Sequence, residues 1–242
     1  MLFMLKIGSP QFNPQLVVFD KDGTLIDFSA MWGGWIAEVG GRLDALTGLP
    51  ISTPLFRVMS YDPLSGHVSD GPLAGTTMDS IRARTLAVAI DSGLTADSAE
   101  AAVERAWHLP DPVALARPLT DLPTLFGKIQ AIGAKVAVAT IDDRAPTEAT
   151  LAGLGVAEMI DALVCADDGI PIKPAPDMIL TLCDRLNIHP SQTAMVGDST
   201  QDLRMGRAAG VGVNVGVCSG VTPAEALRPH ADFVLDSIAA IT

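Results

Sequence analysis

A chain of 242 residues, 48% hydrophobic and only 18% charged, can bury a sizeable core and lacks the composition of a disordered protein. Its formal net charge of -12 argues against nucleic acid or an anionic membrane as a partner, since both demand a basic footprint. Cys165, Cys183 and Cys218 form an odd, widely spaced set with no Cys-x-x-Cys or histidine pattern, so neither a disulfide framework nor a zinc site is expected. Buried thiols in a reducing compartment are the expectation instead. The apolar stretch from Met1 to Ile7 is too short for a signal segment, and no run approaches the ~18 to 20 apolar residues of a membrane span. A cytoplasmic protein is therefore expected.

Residues 1 to 15, with Pro10 and Pro14, read as a lead-in. The run Val17, Val18, Phe19 then stops at Asp20, Lys21, Asp22, Gly23 and Thr24, the pattern of a buried strand emptying into a polar loop. By itself, Asp-x-Asp-Gly fits a solvated turn equally well. Phe28, Met31, Trp35, Val39, Leu43 and Leu46 recur at three- and four-residue steps, an amphipathic helix closed by Gly48 and Pro50. Gly33, Gly34, Gly40 and Gly41 each weaken that helix by up to ~1 kcal/mol, so it either breaks or packs closely against a neighbour. Residues 49–75 read as a loop rich in Pro, Gly and Ser, followed by two helical patterns, Met78 to Val88 and Ala99 to Trp107. With no alternating strand pattern in between, residues 28–115 read as an all-helical insertion, leaving 1–27 and 116–242 for the main domain.

From Asp121 onward helices (122–132, 146–154, 176–186, 202–209) alternate with strands (135–140, 162–165, 193–196, 212–217, 231–235). Near-continuous apolar strands between helices indicate an α/β protein whose parallel sheet is covered on both faces. Polar residues of particular kinds follow these strands: Asp20 and Asp22, then Thr140, then Asp198 and Asp202. Lys173 lies in the loop after Cys165. In open α/β sheets, ligands bind beyond the carboxyl ends of the strands.

This succession of motifs resembles the haloacid dehalogenase-like hydrolase superfamily, and within it the phosphatases with a helical cap inserted just after the first motif. The resemblance spans about Leu16 to Leu235. It implies a doubly wound parallel sheet (Rossmann-like core, 1–27 and 116–242) with an inserted helical cap domain (28–115). It further implies Mg2+-dependent hydrolysis of a small phosphomonoester, phosphoglycolate-like, through an aspartyl-phosphate. Carried onto the matching positions, Asp20 is the nucleophile, and Asp22 is general acid and then general base. Thr140 and Lys173 bind the transferring phosphate. Asp20, the backbone carbonyl of Asp22, and Asp198 hold the metal, while Asp202 orients Lys173 or a water of that metal. Each has a plainer reading as well: Thr140 a strand-end cap, Lys173 a surface lysine, Asp202 a helix-start acid.

Asp22 separates this chain from the family's dehalogenases, which lack an acid there, and from its ion pumps, which carry threonine. Phosphonate-cleaving and phosphosugar mutase relatives place a lysine in the cap. Residues 28–118 hold none here, the five lysines being Lys6, Lys21, Lys128, Lys135 and Lys173. A mutase using the same phosphoryl transfer and a non-catalytic phosphoester-binding protein are the alternatives. Asp142 and Asp143, just after Thr140 and Ile141, either face solvent or alter what the site accepts. The cap is expected to close over the site and set substrate choice, with Arg42, Arg57, Arg82, Arg84, Trp32, Trp35 and His67 as candidate contacts. Of these, the tryptophans read as packing and His67 as solvated. A small phosphorylated metabolite is the expected partner; the oligomeric state is not legible.

Overall fold

The computed structural model describes residues 12–241, so most of the lead-in read over residues 1–15 lies outside the described residues. The chain divides into two compact units, one running to Asp27 and resuming at Ala116, the other Phe28–Leu115. In the first unit, six strands build one parallel sheet: β1 (Leu16–Phe19), β2 (Lys135–Ala139), β3 (Ala162–Val164), β4 (Thr193–Gly197), β5 (Val213–Val217) and β6 (Phe233–Leu235). Their order is β3-β2-β1-β4-β5-β6. Every residue of β1, β4 and β5 is buried, which is why these strands are mostly apolar and show no in–out alternation; the buried Asn214 of β5 donates from Nδ2 to the Leu203 carbonyl at 2.9 Å.

The second unit is helical: α1 (Phe28–Thr47), α2 (Ser52–Val58), α3 (Pro72–Gly75), α4 (Met78–Asp91) and α5 (Ala96–Ala106). Helix α1 is continuous despite its glycines. A Cβ on Gly33 would stand 2.8 Å from the Gly66 carbonyl, and one on Gly40 would stand 2.7 Å from the Phe56 ring. Close packing, and not a break, is thus the outcome. The segment 49–75 is not all loop, since it contains α2 and α3. Their prolines mislead the eye: Pro54 and Pro72 lie in first turns, where the missing N–H has no helical partner to lose. Thr77 and Thr95 cap α4 and α5 by accepting from the Ser80 and Ser98 N–H groups at 3.4 and 3.3 Å. Trp32, Trp35 and Trp107 stack edge to face with centroids 5.6 and 5.2 Å apart, and Trp35 Nε1 donates to the His108 carbonyl at 2.7 Å. The tryptophans therefore pack within this unit, while His67 is exposed.

Helices α6 (Leu122–Ala131), α7 (Arg144–Gly153), α8 (Asp177–Leu186), α9 (Thr200–Ala209) and α10 (Ala224–Leu227) belong to the first unit. Helices α7 and α9 each begin two residues before their apolar pattern does, because a polar first turn carries no periodic signal. Leu16 and Val18 share a core with Met178, Ile179 and Leu182 of α8 and Met205 of α9. Phe19 points to the other face, its ring 5.6 Å from that of Phe126 on α6. Both faces of β1 are thus covered, as a doubly wound α/β sheet requires. The three thiols are free, Cys165 and Cys183 buried and Cys218 partly so. Among the described residues no helix is long and apolar enough to cross a membrane.

The chain moves outward through β1, β2 and β3, then crosses to β4 on the far side of β1 and moves outward again through β5 and β6. The reversal falls between β1 and β4. A crevice at their carboxyl ends is where such sheets bind ligands.

Candidate active site

Asp20 follows β1 and Asp198 follows β4, the two strands on either side of the reversal. The Asp20 N–H donates to the Val196 carbonyl at 2.9 Å, extending the β1–β4 ladder by one residue into the loop. The chain then folds tightly back, with the Leu25 and Ile26 N–H groups donating to the Lys21 carbonyl at 2.8 and 3.1 Å. Gly23 makes this turn at φ +82°, a conformation that a side chain disfavours.

Lys173, in the loop between β3 and α8, is buried. Its Nζ lies 2.5 Å from Asp20 Oδ1 and 2.6 Å from Asp202 Oδ1. Asp202 stands in the first turn of α9, where its Oδ2 accepts from the Ser199 N–H at 3.0 Å and from Ser199 Oγ at 2.6 Å. It is therefore both a helix-start acid in a capping box and the second partner of the lysine. Asp198 is gripped from two loops: Thr24 Oγ1 donates to its Oδ1 at 3.4 Å and the Val221 N–H to its Oδ2 at 3.2 Å.

Backbone presses against this carboxylate. A Cβ on Gly220 would sit 1.7 Å from Asp198 Oδ2, and one on Gly23 2.6 Å from it. Gly220→Ala must therefore displace the carboxylate or the loop after β5, and we expect it to lower unfolding free energy by about 1 to 3 kcal/mol in a urea titration. An unchanged midpoint and slope would show that the loop yields without cost.

Three buried carboxylates, Asp20, Asp198 and Asp202, bring oxygens within 4.8 Å of one another, and the Lys173 ammonium pairs with two of them, Asp20 and Asp202. Burial pushes Asp20 up to about 7 even though Lys173 pulls it down and Asp202 adds to the rise. Asp198 is raised well above the carboxylate range by burial, then by Asp20 and Asp202. Burial draws Lys173 down, but Asp20 and Asp202 outweigh it and hold the lysine above its ordinary range. Fully ionised, the three carboxylates would carry more negative charge than the one lysine offsets, which is why burial and mutual repulsion raise Asp20 and Asp198. Hard oxygen donors with that excess fit a divalent cation of the magnesium type.

A second ion cluster lies alongside. Lys21, 1% exposed, places Nζ 2.6 Å from Asp22 Oδ2 and 2.8 Å from Asp142 Oδ2. Burial alone would lower this lysine, yet Asp22 and Asp142 together keep it above the usual value. Asp142 is pushed up to about 6 by burial against the pull of Lys21. Of the two acids after Ile141, Asp142 turns to Lys21 whereas Asp143 is exposed. Thr140 is buried directly after β2, and its Oγ1 accepts the Asp142 N–H at 3.2 Å.

The structure therefore brings Asp20, Lys173, Asp198 and Asp202 into one cluster and sets Asp22 in a neighbouring one tied to the Thr140 loop. Sequence reasoning passes over Lys21, Thr24 and the Gly220–Val221 backbone. The last two were findable by the same rule that singled out Asp198, since Gly220 and Val221 lie in a loop after a strand's carboxyl end.

A family model for the haloacid dehalogenase-like hydrolases matches residues 14–210. A phosphoglycolate phosphatase of Rhodospirillum rubrum is 31% identical over 209 residues, covering 84% of this chain and 79% of the relative. An N-acetylmuramic acid 6-phosphate phosphatase of Pseudomonas aeruginosa is 32% identical over 198 residues, covering 80% and 77%. Among solved structures, that of a predicted phosphoglycolate phosphatase from Haemophilus somnus superposes with a TM-score of 0.71 at 20% identity, over 95% of this chain and 96% of the other. At that identity the likeness speaks for the fold alone.

Proposed function

The chain belongs to the haloacid dehalogenase-like hydrolases, on the phosphoric monoester hydrolase side of that family, and we propose that it hydrolyses a small phosphomonoester with Mg2+ through an aspartyl-phosphate on Asp20. The observation that carries the reading is the buried group of Asp20, Asp198 and Asp202 around Lys173 at the β1–β4 switch point, with a further acid, Asp22, two residues on. Phosphoglycolate is the first substrate to try, because a phosphoglycolate phosphatase is similar over 79% of its own length. The first unit is the catalytic core in this reading and residues 28–115 are the cap.

In this reading Asp202, which pairs with Lys173 and Ser199, holds the lysine in place, and Asp20, Asp198 and the Asp22 carbonyl would be the metal's donors. Bound there, Mg2+ would cancel the repulsion between a carboxylate and a phosphate dianion. Asp20 attacks phosphorus and the bond to the leaving alkoxide breaks, with Asp22 giving that oxygen its proton. Water then attacks phosphorus, Asp22 takes its proton, and the bond to Asp20 breaks to restore the carboxylate. Lys173 neutralises charge on the transferring oxygens, held in place by Asp202, and Thr140 offers a neutral donor. The balance is one ester and one water to one alcohol and one phosphate.

The test is phosphate release from a panel of phosphomonoesters, phosphoglycolate included, with Mg2+ and after chelation. Turnover is expected only with the metal. Equal turnover without it overturns the metal's role, and accumulation of an isomer without free phosphate would mark a mutase. Binding has its own readout: at 100 times its Kd, Mg2+ stabilises the fold by about 2.7 kcal/mol, a rise in Tm of about 5 to 10 °C that chelation reverses.

A further inference from the structure

The pair Lys21 and Asp142 has no part in the scheme above, yet it is built like part of a site. A lysine 1% exposed is rare in any core, and this one spans two carboxylates contributed by different strand-end loops. Asp142 is itself fixed. Its N–H donates to Thr140 Oγ1 at 3.2 Å, and its carbonyl accepts the Ala166 N–H from the loop after β3 at 3.0 Å. A continuous chain of contacts thus runs from the β3 loop through Asp142 and Lys21 to Asp22 Oδ2.

We propose that Lys21 and Asp142 are positioning residues that orient the Asp22 carboxylate for proton transfer, Lys21 holding Oδ2 so that Oδ1 carries the proton to and from substrate. This rests on the reading of Asp22 as general acid and base. An ammonium donates hydrogen bonds only, so the oxygen it faces must be the accepting one and a proton on that carboxyl belongs to the other. Asp142 sets where the lysine head sits. Without it, Nζ has one carboxylate in place of two, and the rotamers of both Lys21 and Asp22 are less determined. Displacements of about 1 Å in such a group cost on the order of 10²-fold in rate. The acid pair after Thr140 thereby gains a purpose for its first member: Asp142 supports proton transfer from behind.

The experiment compares kcat/KM on phenyl phosphate and on 4-nitrophenyl phosphate, because kcat/KM covers steps only through loss of the leaving group. Nitrophenolate leaves without a proton, whereas phenolate benefits from one. The ratio of the two values on one preparation is independent of the fraction that is folded, so a poorly folding variant still reports. Asp22→Asn, Lys21→Met and Asp142→Asn are each expected to lower kcat/KM on phenyl phosphate at least about tenfold more than on 4-nitrophenyl phosphate. If Asp22→Asn shifts the ratio but Lys21→Met and Asp142→Asn keep the wild-type value, the positioning role is wrong and the role of Asp22 stands. If Asp22→Asn itself leaves the ratio unchanged, the general-acid reading fails and this inference with it.

Discussion

On the proposed mechanism, Asp20→Asn is expected to lower phosphate release by about 10⁴-fold or more, because the amide keeps the shape of the side chain and loses the oxygen that would attack phosphorus. The same change should not destabilise the protein. Asp20 is one of three clustered buried carboxylates, of which Lys173 pairs with Asp20 and Asp202, and burial already pushes Asp20 up to about 7. Removing its charge relieves the repulsion on Asp198 and Asp202, and the amide oxygen can still accept from Lys173. Thermal midpoints without metal should therefore be equal to or above wild type, while the Mg2+-induced rise should shrink. A covalent intermediate gives a second readout. Wild-type protein quenched during turnover of a ³²P-labelled ester should retain hydroxylamine-sensitive label, and Asp20→Asn should retain none. Residual turnover above about one part in a hundred, or label persisting on the variant, would place the nucleophile elsewhere.

The strands were legible because burial on both faces forces apolar runs with no periodicity to misjudge, as in Val17 to Phe19 and Ala194 to Val196. Helices with polar or proline-bearing first turns were less so, and α2, entered through Ser52, Thr53 and Pro54, was hidden in what looked like loop. The cluster at the β1–β4 switch was legible because its members follow strand ends, a local property of the sequence. Partner choice was not. The family resemblance supplied the pairing of Asp202 with Lys173, but nothing local says that Thr24 and the Val221 N–H share Asp198, or that Lys21 reaches Asp142 at the end of the neighbouring strand. Such pairs depend on strand order and register, and β1 lies between β2 and β4 only once the crossover has been made. Lys21 was hidden further by its neighbours, because between two acids it passes for a solvated spacer. Only its burial reveals that it is a counter-ion.

Lys173→Met separates electrostatics from packing more sharply than any other single change. Methionine has nearly the length and flexibility of the lysine stem, so the apolar contacts survive and the charge alone goes. Asp20 and Asp202, at 2.5 and 2.6 Å from Nζ, then face each other across a buried space with no cation between them. Breaking a buried pair in this way costs about 3 to 5 kcal/mol, which denaturant titration of the metal-free protein would read directly. On the proposed mechanism turnover should fall by about 10² to 10³-fold, the usual penalty for losing one group aimed at developing negative charge. The two losses have different remedies. Adding Asp202→Asn to Lys173→Met removes one of the uncompensated charges and should recover part of the stability, a non-additivity that neighbours sharing an ion cluster are expected to show. It cannot return positive charge to the phosphate, so turnover should stay low. If activity instead climbs back together with stability, Lys173 serves the fold alone, and the charge that the transferring oxygens need must come from another group.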